Sequence, residues 1–210
     1  TRELAEQGLR VILFAVRGGC VEGDSVVDEY HEGTTRDFFE REMICIGAVG
    51  LQDPPRDGVR EAVEECVRGG IAVHMLTGDD LQTATSIAKS VSIVSSASSA
   101  MHARDFDSLT DEQLDWLQEI PRVVARCTPE SKVKMVHALR RRKLISSMTG
   151  DGVNDAPALS AAHVGIAMGI SGSDVTRQAA HLVLSDDNFV SIVGAIREGR
   201  RIFHSIRKFV

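Results

Sequence analysis

Short apolar runs alternate with longer amphipathic stretches along most of this chain. Val11 to Val16 and Met43 to Leu51 are continuous apolar, β-branched runs, which predict strands. Residues 1 to 9 have helical spacing at Leu4, Ala5 and Leu9, and residues 17 to 42 are polar and glycine-bearing without a period, predicting an irregular connection. From Met43 onward strands and helices alternate. Val59 to Val67 is a helix stopped by Gly69-Gly70, Ile71 to Leu76 a strand, and Leu81 to Val91 a helix with Thr83, Ala84, Ile87 and Ala88 on one face. Residues 94 to 108 are Ser/Ala-rich. With the short helix Thr110 to Leu117, opened by T-x-x-Q, they predict a loose insertion over 94–121. Val123 to Ala125 (strand) and Pro129 to Leu139 (helix, Thr128 as cap) follow. Then come Leu144 to Met148 (a buried strand), Pro157 to Ala162 (helix), Val164 to Met168 (strand), Ser173 to Ala180 (helix), Leu182 to Leu184 (strand) and Asp187 to Phe209 (a long helix). Such alternation predicts an α/β fold whose parallel sheet is covered on both faces.

Composition narrows the function without naming it. At 210 residues, with 43% hydrophobic and 26% charged residues, the chain can bury one good core. A formal net charge of −6 and the lack of aromatic-basic alternation argue against a nucleic-acid partner. Cys20, Cys45, Cys66 and Cys127 form no C-x-x-C pair, which fits reduced thiols better than a disulfide frame or a zinc site. No apolar run approaches the roughly 18 residues of a membrane span, and no signal peptide opens the chain. The chain begins at Thr1 in an apparent helix and ends at Val210 in another, so the expectation is a piece of something larger. The cations Arg140 to Lys143 suit the C-terminal end of a helix dipole.

The chemistry gathers in two turns. Thr77-Gly78-Asp79 and Thr149-Gly150-Asp151 each end an apolar strand and open a helix. In a parallel sheet both lie at the C-terminal edge, where open α/β folds bind ligands. Asn154 and Asp155 follow the second turn, and Lys132 sits in the first turn of the helix at Pro129, within reach of that edge. Singly, each has an ordinary reading: Thr77 as a cap, Lys132 as a surface lysine, Asp155 as a helix N-terminal charge. Together they are an inventory for phosphoryl transfer: carboxylates for Mg²⁺, an ammonium to neutralise phosphoryl oxygens, hydroxyl and N–H donors to orient the group. A nucleophile is missing, since Asp53, the other acid directly after a strand, precedes two prolines that suit a stiff joint.

The motifs MLTGD (75–79), ARCTPESK (125–132), MTGDGVNDAPAL (148–159), VGIAMG (164–169) and LSDDNF (184–189) resemble the phosphorylation domain of P-type cation-transporting ATPases, a haloacid-dehalogenase-like fold with a doubly wound parallel sheet. IAVHMLTGD, GISGSDV and SDDNF are most similar to the fungal sodium- or potassium-exporting branch, with the calcium pumps second. The resemblance implies a phosphorylation domain over 43–199, a C-terminal remnant of a nucleotide-binding domain over 1–42, a hinge at 53–56 and the start of a stalk helix at 200–210. It implies that Asp151 binds Mg²⁺ and that Asn154 and Asp155 orient the phosphorylated aspartate and the metal's surroundings. Thr77 and Gly78 would grip the phosphoryl group, Asp79 support their loop and Lys132 neutralise charge. Arg10 would meet the phosphates of ATP and Arg126 its ribose side. The family's DKTGT motif with the phosphorylated aspartate is absent, as are the lysine-bearing ATP pocket and the membrane helices. The implied whole is a multi-pass membrane pump for a monovalent cation, with this segment on the cytoplasmic side beside the actuator and nucleotide domains. As given, the chain would be inactive. A soluble phosphatase of the same superfamily and a non-catalytic regulatory fragment are the alternatives.

Overall fold

The structure, a computed structural model, describes residues 4, 9–17, 43–51, 54–96 and 99–210. The predicted helix at 1–9, the connection at 17–42 and Asp53 of the hinge fall largely or wholly outside them. The chain divides into two compact units, residues 1–53 and 54–210.

In the first unit β1 (Arg10–Arg17) pairs antiparallel with β2 (Met43–Leu51), from Arg10 opposite Leu51 to Arg17 opposite Met43, with a bulge between Phe14 and Ala15. This corrects the expectation that Met43 to Leu51 opens the parallel sheet. The ladder of β2 is taken up by β1, and the unit boundary falls after Asp53. Leu13, Phe14, Ile44 and Ile46 are all exposed.

In the second unit alternation begins with α1 (Val59–Arg68), whose Ala62 and Cys66 pack with Ile71, Val73, Phe189 and Val193. Among its described residues all strand pairing is parallel, in two three-stranded sheets. The first has the order β3 (Met75–Thr77), β5 (Val123–Ala125), β4 (Ala100–His102); the second has β6 (Ser147–Gly150), β7 (Val164–Met168), β8 (Leu182–Leu184). Side chains alternate across a strand, and β5 shows it. Val124 joins Phe106, Leu114 and Met135 on one face, while Val123 and Ala125 join Ala84 and Ala88 of α2 (Leu81–Ser90) on the other.

Two strands are shorter than their apolar runs. Ile71 to His74 run up to β3 without ladder pairing. Leu144 and Ile145 are exposed, and Leu144 instead donates its N–H to the Leu139 carbonyl, closing the preceding helix; the strand starts at Ser147.

The region expected to be a loose insertion is ordered where described. It holds β4, α3 (Ala103–Ser108) and α4 (Asp111–Trp116), and buries Phe106 and Leu114 completely. Each such side chain contributes about 1.5–3 kcal/mol. It is also fastened to α5 (Pro129–Arg141). Ser131 donates to Asp107 (2.6 Å), and Lys134 to the carbonyls of Asp107 (2.6 Å) and Leu109 (2.7 Å). Arg141 meets Asp115 (3.0 Å), and Arg142 the carbonyls of Leu114 and Leu117. Two of the four cations of the basic run are therefore cross-links, beyond any dipole effect. Reciprocal capping boxes at Thr110/Gln113 and Thr128/Ser131 open α4 and α5.

Candidate functional site

β6 ends at Gly150, and a 3₁₀ turn, Val153–Asp155, leads into α6 (Ala156–Ala161). This reversal buries the Asp155 side chain. Its Oδ1 meets Lys132 Nζ at 2.5 Å, and its Oδ2 accepts the Gly152 N–H at 3.2 Å. Gly150 is needed for that fit: a Cβ there would lie 2.5 Å from the Asp155 Cβ. Lys132 reaches the turn because Thr128 and Pro129 start α5 four residues earlier. Asp151 and Asn154 are exposed, and neither side chain has a hydrogen-bond or ion-pair partner among the described residues.

The turn after β3 closes on itself. Thr77 Oγ1 donates to Asp79 Oδ2 (3.0 Å) and accepts the Asp79 N–H (3.1 Å). Asp80 caps α2, accepting from Gln82 and Thr83. Burial pushes the Asp80 carboxyl up, but the Thr83 and Gln82 donors, with the nearby Arg126 charge, hold it below its ordinary value. From β5, the Arg126 N–H donates to the Asp79 carbonyl (3.0 Å) and the Cys127 N–H to the Thr77 carbonyl (2.9 Å). Arg126 takes a left-handed backbone, φ 58°, and its guanidinium lies 3.5 Å from the Gly78 carbonyl. Burial pushes the Cys127 thiol up to about 11, against the pull of Lys132 and the Thr77 backbone.

The residues expected at the site thus form two groups. One is Lys132 with Asp155, beside Asp151 and Asn154; the other is Thr77, Gly78, Asp79 and Arg126. Cys127, which sequence reasoning passed over, adjoins both: its amide bonds Thr77 and its thiol senses Lys132. Arg10 is placed by its backbone alone, opposite Leu51 in β1. Also missed were Ser173 and Thr176, which hold the Asp151 carbonyl, and Asp187, buried at the head of the long helix. Only the SDDNF motif pointed toward Asp187. Burial pushes the Asp187 carboxyl up, yet the N–H donors of Ile170 and Ser171 bring it down to about 2.

No trio of His, Cys, Asp or Glu among the described residues could hold a metal by itself. A free, exposed carboxylate and a free amide oxygen on one turn nevertheless suit Mg²⁺, which keeps several waters and takes one or two carboxylates with phosphate oxygens. A groove of about 660 Å³ runs along α5 past Val133, His137 and Arg140, and none of the expected site residues lines it. The chemistry therefore points to the strand-end turns.

A model of the haloacid dehalogenase-like hydrolase family matches residues 20–163, and the chain belongs to that family. Over 99% of its length it is 47% identical to the sodium/potassium exporting P-type ATPase cta3 of Schizosaccharomyces pombe, and over 100% it is 43% identical to calcium-transporting ATPase 1 of Bacillus cereus. It spans about a fifth of each relative, 20% and 22% respectively. A crystal structure of a zinc-transporting PIB-type ATPase in its E2.Pi state superposes with a TM-score of 0.64 at 26% identity, covering 99% of this chain and 25% of that one.

Proposed function

We propose that this chain is the phosphoryl-transfer region of an ATP-driven cation pump. A carboxylate on a segment outside these 210 residues attacks the γ-phosphorus of ATP. The new O–P bond forms as the bond to the bridging oxygen breaks and ADP leaves; water later cleaves the acyl phosphate. The observation that carries this reading is the Lys132–Asp155 pair, which brings an ammonium to the turn that carries the unpartnered side chains of Asp151 and Asn154. Lys132 offsets charge on the phosphoryl oxygens, worth about 4 kcal/mol for a pair at 4 Å in an effective dielectric near 20. Asp155 fixes the lysine, and Asn154 offers its amide to the incoming carboxylate. Thr77 and the Gly78 N–H orient the transferred group, and Asp79 holds the Thr77 hydroxyl in place. When bound, Mg²⁺ at Asp151 supplies Lewis-acid stabilisation of the phosphoryl oxygens.

Two further features support the reading. Among the described residues β3 and β6, the strands that end in the two turns, each stand at the edge of their sheet, so each offers a ladder edge to an additional parallel strand. Relatives in Schizosaccharomyces pombe and Saccharomyces cerevisiae are sodium/potassium exporting P-type ATPases, which favours a monovalent cargo. The 1–53 unit would then belong to the nucleotide domain, with Arg10 and Arg126 toward ATP, and the long C-terminal helix would lead toward the membrane from the cytoplasmic side. No helix among the described residues is long and apolar enough to cross a membrane, so the cargo's ligands would lie elsewhere in the protein.

The test is Asp151→Asn in the full-length protein, followed by phosphoenzyme formation from γ-labelled ATP with Mg²⁺. Loss of the acid-stable label is the expected result, and normal labelling would remove Asp151 from the metal site. Vesicle uptake of Na⁺, K⁺ or Ca²⁺ then assigns the cargo.

A further inference from the structure

Asp151 has no side-chain partner among the described residues, so what the fold controls is the point and direction from which its side chain leaves the backbone. That backbone is gripped from one place. Its carbonyl accepts the Ser173 N–H at 3.0 Å and the Thr176 hydroxyl at 3.2 Å. Both donors belong to the first turn of α7 (Asp174–Ala179), where Ser173 is the cap and Thr176 is completely buried. The Thr176 hydroxyl shares its proton with the Ser173 carbonyl (2.7 Å) and lies 3.0 Å from Ser173 Oγ, so the two residues lock each other.

The grip is anchored in turn. The loop 169–172 that delivers Ser173 is tied down by the Gly169 N–H on the Leu184 carbonyl (2.8 Å) and by Arg177 on the carbonyls of Gly169 (3.0 Å) and Gly172 (2.7 Å). The Asp187 carboxylate takes the N–H groups of Ile170 (3.0 Å) and Ser171 (2.6 Å). Gly172 permits the sharp approach, since a Cβ would fall 1.9 Å from the Met168 carbonyl oxygen. A fully buried hydroxyl aimed at the main chain of an exposed acid, on a loop fixed at both ends, does more than cap a six-residue helix.

We propose that Ser173 and Thr176 are positioning residues for Asp151, aiming its carboxylate at the divalent cation; this rests on the metal reading of Asp151 given above. Removing the partner behind a metal ligand weakens metal binding by about 10- to 100-fold in typical sites. Here the contact is to the ligand's main chain, so the low end, about 10-fold, is expected.

The experiment uses the full-length protein and Mn²⁺ as the probe, titrated by electron paramagnetic resonance in the absence of ATP. Thr176→Val keeps the branched shape and removes the hydroxyl, and should move the Mn²⁺ midpoint by about 10-fold. Thr176→Ser restores the hydroxyl and should return the midpoint to that of the unaltered protein. An unchanged midpoint in Thr176→Val, or an equal shift in both variants, overturns the proposal. Should Thr176→Val fail to accumulate, a Ser173 pair takes its place. Ser173→Ala keeps the N–H, while Ser173→Pro removes it at a backbone φ of −70° that proline adopts readily. The proline variant should shift the midpoint more than the alanine variant, which loses only the Ser173 hydroxyl, and equal behaviour overturns the proposal. Asp151→Asn separates the two levels of inference. If it keeps the normal midpoint, the metal reading fails and the aiming role with it; if it shifts while Thr176→Val does not, the aiming role alone fails.

Discussion

Two turns leave parallel strands with the same three residues, Thr77-Gly78-Asp79 and Thr149-Gly150-Asp151, and they are held to different degrees by distant side chains. The first is exposed at Gly78 and Asp79; its side chains bond only each other, in the Thr77–Asp79 exchange, and its outside support is main-chain and guanidinium donors of Arg126 and Cys127, just after β5. The second is held from outside: Lys132 reaches in from α5, Asp155 folds back beneath Gly150, and Ser173 and Thr176 grip the Asp151 carbonyl. Identical short sequence therefore says little about rigidity, which comes from the elements that arrive from far along the chain. A turn stabilised from within can adapt to a group as it is transferred. One fixed by three neighbours is preorganised, the condition under which a metal ligand or charge works best.

The contrast can be broken most forcefully at the ion pair. Lys132→Met leaves the buried Asp155 carboxylate without its counter-charge and should cost about 3 kcal/mol of the stability of the 54–210 unit, read by urea denaturation. Adding Asp155→Leu should recover part of that loss; a cost near zero for Lys132→Met alone would mean that the turn is not held by this pair. The glycines offer a matched test. Gly150→Ala drives a methyl into Asp155 and should cost about 2 kcal/mol, whereas Gly78→Ala, with open space around its Cβ, should be close to neutral. Equal effects would erase the difference between the turns.

A smaller effect is expected from acid. The folded state holds the Asp187 carboxyl at about 2, below the unfolded value of about 3.9, so its contribution is complete above pH 4. It is lost as pH falls toward 2. Asp187→Asn should remove that acid-dependent step from a plot of Tm against pH, and retention of the full step would assign it to other carboxylates. The smallest change is Arg126→Gly. It suits the left-handed φ and should raise stability by about 0.5 kcal/mol, measured by the same denaturation curve. A loss instead would show that the guanidinium near Gly78 stabilises more than the backbone strain costs.

Much of the second unit was legible because its signals are local. Thr128-Pro129 and the T-x-x-Q at Thr110 announce helix starts with their own side chains, and the structure makes both capping boxes. Parallel pairing followed from strand–helix alternation. What could not be read was set by partners distant in the chain. Met43–Leu51 looks like any buried strand, and only its ladder with β1 assigns it to the first unit. Leu144 and Ile145 are apolar enough for a strand, yet closing α5 takes the Leu144 N–H and leaves both side chains exposed. The 94–121 region reads as loose because its helices are short and its flank is Ser/Ala-rich, while its order comes from α5 residues more than 20 positions away. The same holds at the site. The turn residues and Lys132 stand out by type and spacing, whereas Thr176 acts on a main-chain atom that no side-chain pattern reveals, and Asp187 shows only through its motif.

The long helix α8 (Phe189–Phe209) carries a mechanical consequence. Its first half is clamped: Asn188 caps it, Ile192 and Val193 are buried, Arg197 meets Glu65 (3.4 Å), and Arg200 donates to the Gly69 carbonyl at the end of α1 (2.8 Å). The stretch from Arg201 to Phe209 is exposed throughout and extends about 14 Å at 1.5 Å per residue. An α-helix is stiff over that length, so the helix is a lever gripped from Phe189 to Arg200 and free from Arg201 to Phe209. A tilt of roughly 10° at the clamp carries the far end through about 2 Å, with no bending in between.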